Sequence, residues 1–382
     1  MPTRTPPARR SLDTPELDRA IAAAEADAIV VWSDERLPFA AVPDRIAQLD
    51  SRGARDGLYG SYLEAVEALN PLYEQRLAHW TSGGDVIEAV AANGIDPRDF
   101  AVDLERFILH SETPYYAALR RYLAVIDIEQ GDATVADVWH IARGARWSNW
   151  FGDREMRRAI TATGRNSDAA GGRDGWLAAE AMLSGEAAAP GAELDAAVSA
   201  AYATLAGSPE WLAGELGVAA GEVTTLADFA AFVRLWRLRR HIGLLQVELR
   251  LFGGATEPAI ARAYSAGIMS HITGVAVAEQ TYLSTIPVPF ASVGRLRIAM
   301  LAADLVETLE QRHGATWWRD PASAEVVDSF GAASSVDDGL AQLGYDALDW
   351  RPVLRQIRAR LIGEMSGYGG PNITTRAGTR KV

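Results

Sequence analysis

Apolar side chains recur at a spacing near 3.6 along almost the whole of this 382-residue chain, and no stretch keeps a period of two for long. That pattern predicts an all-α protein. The ends of the periodic segments carry the residues that helix ends require. Thr225 stands before a run from about Leu226 to Phe252, and Asp228 follows three residues later as the acid of a capping box. Gly253 and Gly254 close that run, since glycine is free to take a left-handed C-terminal cap. Thr256 is read as the cap of the next helix, with Pro258 in its first turn, where a missing N–H costs nothing. Pro289 precedes a long helix from about Phe290 to Arg312.

Further helices are expected over 14–28, 58–80, 84–93, 97–109, 113–127, 134–144 and 153–163. Later ones are expected over 191–206, 209–216, 320–330, 335–343 and 350–364. The best strand candidate, IVVW at 29–32, is short. Residues 1–13 read as a disordered start and 14–163 as an N-terminal helical lobe. Residues 164–192 read as a Gly/Ala-rich segment, 193–365 as a C-terminal helical lobe and 366–382 as a flexible tail.

Composition narrows the chemistry. With 48% hydrophobic and 23% charged residues the chain reads as globular. Its formal net charge of −13 argues against nucleic-acid or anionic-membrane partners, which call for a basic face. No run of about 18 apolar residues spans a bilayer, and the N-terminal residues lack a signal-peptide core, so a cytoplasmic location is expected. Cysteine is absent, which excludes disulfides, thiolate metal sites and cysteine nucleophiles. The single lysine is Lys381, which leaves a Schiff base or a P-loop without a plausible lysine in the body of the chain. The histidines at 79, 110, 140, 241, 271 and 313 form no i, i+4 pair, and HExxH, GxSxG and DDxxD are all missing.

Four groups of residues remain as site candidates. In WHIARGARWSNWF, Trp139, Arg143, Arg146, Trp147 and Trp150 share one helical face if the helix continues through Gly144, with His140 beside them. Such a face is either a core stripe with arginines reaching outward or a pocket wall that holds a planar or anionic ligand. In RRHIGLLQVELR, His241 and Glu248 lie seven residues apart on one face, as a salt-bridged surface or as an acid/base pair. Tyr282, Arg295 and Arg297 flank the break at Pro287 and Pro289, where a cleft lip or an ordinary loop fits equally. His110, Glu112, Tyr115 and Tyr116 form a polar helix junction.

The stretch from Phe229 to Leu361 resembles the C-terminal half of helical zinc metallopeptidases of the oligoendopeptidase and thimet-oligopeptidase type. The resemblance rests on LWRLRRHIGLLQVELRLFGG, AIARAYSAGIMSHITGV, the YL of TYLST, LRIAMLAADLVETLEQRHGATWWRDP and QLGYDALDWRPVLRQIRARL. Upstream, FAVDLERFILHSETPYYAALRRYL and SPEWLAGELG extend it. It implies a two-lobed, neurolysin-like helical fold with a central cleft, from which the active-site sheet and zinc helix are gone. The third zinc ligand of the family falls near Ala196, beside Glu193 and Asp195, and its transition-state tyrosines fall near Ala291 and Arg295. Zinc, water activation and oxyanion stabilisation are thus lost together on this reading.

The function expected is a metal-independent, non-proteolytic descendant of a metallopeptidase. It would act on a small molecule in the inter-lobe cleft by cyclisation, isomerisation, dehydration or condensation. His241 or His140, oriented by Glu248, would serve as general acid/base. Arg143, Arg146, Arg295 or Arg297 would hold an oxyanion, and Trp139, Trp147, Trp150 and Tyr282 would line the substrate. No cofactor or metal is called for. The alternative is a catalytically dead pseudopeptidase that binds a peptide, metabolite or partner protein; an active peptidase with unconventional ligands ranks last. Oligomeric state is not legible, and no heptad run points to self-association. Protein dialysed free of loosely held ions is expected to carry well below one zinc per chain by elemental analysis. Stoichiometric zinc would restore the peptidase reading.

Overall fold

Helix dominates the computed structural model, which describes residues 15–82, 84–92, 95–143, 193–254 and 257–361. The first half runs α1 (Pro15–Asp27), β1 (Ile29–Trp32), β2 (Glu35–Pro38), α2 (Val42–Ala47), α3 (Arg52–Ser82), α4 (Val86–Ala91), α5 (Pro97–Ala124) and α6 (Val135–Arg143). The second half runs α7 (Glu193–Ala203), α8 (Pro209–Gly214), α9 (Ala220–Phe252), α10 (Pro258–Thr273), α11 (Ala291–His313), α12 (Pro321–Gly331), α13 (Val336–Leu343) and α14 (Arg351–Arg358). No described helix is long and apolar enough to cross a membrane. The expected helix at 153–163, the segment 164–192 and both chain ends lie outside the described residues.

Several boundaries differ from the sequence reading. The expected break between 109 and 113 is absent, and α5 runs unbroken through Pro114. An interior proline removes one backbone bond. Here the apolar stripe overrides it: Leu104, Phe107, Tyr115, Leu119 and Tyr122 are all buried at helical spacing. Helix α9 begins at Ala220, so Thr225 is interior and caps nothing. Asp228 is no capping acid either. It is buried, and it accepts hydrogen bonds from the Tyr122 hydroxyl at 2.5 Å and from Arg121. Helix α9 ends before Gly253 as expected, but neither Gly253 nor Gly254 has a positive φ. Helix α10 begins with Pro258 at its first position, and Glu257 before it makes no side-chain capping bond; Thr256 lies outside the described residues. Helix α14 stops at Arg358, short of the expected 364.

The chain divides into two compact units, each discontinuous in sequence. One comprises residues up to 103, 131–144 and 243–291; the other comprises 104–130, 145–242 and 292 onward. In the first unit, β1 and β2 pair antiparallel with Ile29 opposite Pro38 and Trp32 opposite Glu35. Val30 faces the core while Ile29 and Val31 face water, the alternation a half-buried strand requires. Val42, Ile46, Leu58, Tyr59 and Ala136 complete this core. A buried ion pair lies in the same unit. Arg55 on α3 reaches Asp137 on α6 at 3.2 Å, with both side chains almost wholly excluded from solvent. Arg55 also donates to the carbonyls of Leu49 and Asp50 at 3.1 and 2.8 Å. Asp137 accepts from the backbone N–H and hydroxyl of Thr134 at 3.0 and 3.1 Å.

In the second unit α7, α8, α11, α12, α13 and the first part of α9 surround a core that includes Leu205, Trp211, Leu301, Leu305, Trp317 and Phe330. Helix α9 is buried on nearly every face from 226 to 242, as a central core helix must be. Asp304 on α11 is fully buried, and neither carboxyl oxygen has a hydrogen-bond partner among the described residues. Burial pushes its carboxyl up to about 8; Asp349 and Glu307 add repulsion and Arg355 opposes them.

Two stability predictions follow from these groups. Replacing Asp137 with Ala strands a buried guanidinium and is expected to cost about 3–5 kcal/mol in denaturant unfolding. Asp304 behaves in the opposite sense. Its folded value lies above its unfolded one, so the contribution to stability is full below about pH 4 and is lost as pH rises towards 8. Asp304→Asn is expected to flatten that slope and to gain at least about 2 kcal/mol at pH 8. An unchanged pH dependence of the thermal midpoint would refute this assignment.

Candidate functional site

The second unit encloses a cavity of about 100 Å³. Its walls are unusually small side chains: Ala203 at the end of α7, Ala230 and Ala231 on α9, and Ala299 and Ala302 on α11. The space exists because alanine fills these facing helix positions where leucine would close them. The turn after α7 approaches α9 closely. A Cβ added at Gly207 would lie 3.2 Å from the Cβ of Ala230, so glycine lets this turn form part of the wall. Trp317 and Trp318 supply the aromatic surface. Trp317 packs on Tyr202 at 5.2 Å between ring centroids, and the Trp318 indole N–H donates to Glu215 at 3.1 Å, so neither ring is loose.

Against these walls stand a few polar groups. Arg234, from the apolar stretch of α9, is partly buried and lines the cavity. Its Nη1 donates to Gln356 Oε1 at 3.1 Å. Gln356 is itself oriented, because its Nε2 donates to the Ala303 carbonyl at 2.8 Å. No carboxylate among the described residues pairs with Arg234, and burial alone pulls its guanidinium down to about 10, which leaves it charged at neutral pH. Glu310, one helical turn beyond Val306, lines the same cavity. Burial raises its carboxyl; Arg360 opposes this while Glu210 and Glu307 add to it. Arg360 in turn lies 4.0 Å from Glu210. The site thus combines an apolar body, a cation without a counter-ion and a carboxyl that holds its proton more tightly than usual.

The residues singled out from sequence lie elsewhere. His140 donates from Nδ1 to the Ala47 carbonyl, 2.9 Å away in the first unit, and burial lowers its pKa, with Arg55 adding to the effect. Trp139 packs edge-on against Tyr59 and Tyr62, at 5.6 and 5.7 Å. Tyr282 donates to Glu74 at 2.8 Å and lies under the Arg262 guanidinium, 5.1 Å from its ring centre. Arg262 also holds Glu67, at 2.8 Å. Glu248 is buried in the first unit and His241 in the second. Arg295 is partly buried on α11, two residues from Arg297. Arg297 reaches Glu193 at 3.2 Å, and burial lowers its pKa against the pull of that carboxylate. Arg146, Trp147, Trp150 and the side chain of Arg143 lie outside the described residues. His110 stacks on Trp350 with centroids 5.6 Å apart, and Tyr115 lies under Arg239 at 4.4 Å.

A zinc ion of the kind the resembled peptidases carry finds no fit among these residues. Ala196 offers no ligand, Glu193 is paired with Arg297, and no group of three or more His, Asp or Glu among the described residues is placed to hold an ion. The sequence reading missed Arg234, Glu310 and Gln356. Arg234 carried a signal, as the one charge within FAAFVRLW, but nothing local marked Glu310 or Gln356, which the fold brings in from α11 and α14.

If the cavity is real free volume, Ala302→Leu should fill it at little cost. The variant is expected to unfold within about 1 kcal/mol of the parent, whereas overpacking a full core costs about 1–3 kcal/mol. A cooperative denaturant melt distinguishes the two. No protein-family profile, curated protein or solved structure matches the chain.

Proposed function

We propose that the chain acts on a small organic molecule held in the cavity of the second unit, by metal-free acid–base chemistry. The observation that carries this reading is Glu310, a carboxyl whose proton affinity burial raises, in a cavity lined largely by apolar side chains and shared with Arg234 and Gln356. Titratable groups shifted by burial beside an apolar pocket are the groups enzymes use for proton transfer near neutral pH. The suitable steps are isomerisation, dehydration, condensation or cyclisation, which need orientation, a proton donor or acceptor and stabilised charge.

The resemblance of residues 229–361 to helical zinc peptidases belongs to the same proposal. On it, the scaffold descends from a metallopeptidase whose zinc helix and active-site sheet are gone, and peptide hydrolysis is not its activity. A second reading, a binding protein without chemistry, is favoured by the cavity's small volume, which suits capture of a compact ligand as well as turnover.

Two measurements separate the readings. Tryptophan fluorescence titrated with benzyl alcohol and 2-butanone is expected to saturate in the parent and to lose saturation in Ala302→Leu. Absence of saturation in the parent would overturn the site itself. Deuterium uptake from D2O at the carbon next to the carbonyl of 2-butanone should exceed the buffer rate in the parent. It should fall at least about tenfold in Glu310→Gln, within the range of general acid–base catalysis. Saturable binding with exchange at the buffer rate would leave the binding-protein reading standing.

A further inference from the structure

We infer that the ligand of this cavity is a small monocarboxylate whose carboxylate is received by Arg234. The inference rests on the reading of the cavity as a small-molecule site and names the class of molecule it takes. Three other inward arginines among the described residues have carbonyl, hydroxyl or carboxylate acceptors. Arg55 has Asp137 and two carbonyls, Arg239 has the Ile108 carbonyl and the Ser111 hydroxyl, and Arg297 has Glu193. Arg234 has a single bond among the described residues, to a neutral amide oxygen. A guanidinium has five N–H donors in a flat fork and does not deprotonate in a protein. The rest of that fork lines the cavity with no carboxylate beside it among the described residues, and an incoming carboxylate matches it in bidentate geometry.

Local charge points the same way. The chain carries −13, yet in the cavity lining Arg234 has no carboxylate partner among the described residues, while Arg360 lies 4.0 Å from Glu210. Burial raises the Glu310 carboxyl above its usual value, which lessens the repulsion it offers to an anion. Size sets the body of the ligand. A dry cavity of about 150 Å³ accommodates benzene, so this one suits a body of roughly four to six carbons. A phosphate fits poorly: it brings nearly two charges and a tightly held hydration shell to a wall made mostly of alanine, with one uncompensated cation to meet them.

The test compares benzoate, benzamide and inorganic phosphate as probes, by calorimetry and tryptophan fluorescence, on the parent, Arg234→Met and Arg234→Lys. In the parent, benzoate is expected to bind at least about tenfold more tightly than benzamide, and phosphate not to saturate. Arg234→Met should lower benzoate affinity at least about tenfold while changing benzamide less than about twofold; Arg234→Lys should fall between. Removal of an uncompensated charge should leave both variants folded. If Arg234→Met unfolds, the lysine variant together with the benzoate-to-benzamide ratio of the parent still decides the question. Equal binding of benzoate and benzamide by the parent, or an unchanged preference in the variants, would overturn the carboxylate assignment and leave the cavity reading intact. Tighter binding of phosphate would assign the site to phosphate instead. Binding of none of the three would sink the underlying site as well.

Discussion

Arginine supplies nearly all the positive charge of this chain, and a guanidinium taken out of water calls for acceptors. A guanidinium cannot shed its proton to escape burial, so each inward arginine forces the placement of carbonyls, hydroxyls or carboxylates around it. Arg55 draws together the end of α2, the start of α3 and the first turn of α6 in this way. Arg239 ties α9 to the middle of α5 through a carbonyl, a serine and the face of Tyr115. Asp228 does the converse, binding Arg121 and Tyr122 of α5 to α9. Breaking such pairs costs far more than forming surface ones gains, which makes these contacts the fixed points around which the apolar core packs.

Alanine is the second constraint. Where α7, α9 and α11 face one another, alanine on all three lets the backbones approach without filling the space between them. A core usually alternates large and small residues so that layers interlock. Here small faces small across the three helices, and Trp317 and Trp318 close the remaining wall. The result is a void bounded by rigid helices. Side chains on such helices hold a ligand with less loss of orientation than loop residues do.

The helical class and most helix positions were legible because period and capping residues are local properties of the sequence. The failures were also local in origin. Pro114 read as a break, yet the buried stripe from Leu104 to Tyr122 continues across it and tertiary packing overrides the proline. Thr225 and Asp228 had the spacing of a capping box, but that spacing recurs inside helices, and Asp228 was needed elsewhere. The site was hardly legible at all. The residues most unusual in sequence, Trp139 with His140 and the single His241, do not line the cavity. The cavity arises instead from alanines, which carry no chemical signal. Its polar groups come from α9, α11 and α14, more than a hundred residues apart from first to last. Arg234 was visible only as one charge in an apolar run, and nothing in the run told whether that charge was paired.

A chain of net charge −13 is a poor candidate for nucleic acid, and it might be thought equally poor for any anion. The two cases differ in range. Surface charges act on an approaching ligand through salt water, where a Debye length near 8 Å screens most of their sum. Inside the cavity, a carboxylate would sit within hydrogen-bond distance of Arg234, where the effective dielectric is far below that of water and one ion pair outweighs many distant charges. A polyanion must meet the whole surface and is repelled by it. A small monoanion would meet mainly the pocket lining with Arg234, so on the proposed reading the overall charge of the chain selects for size rather than against negative charge.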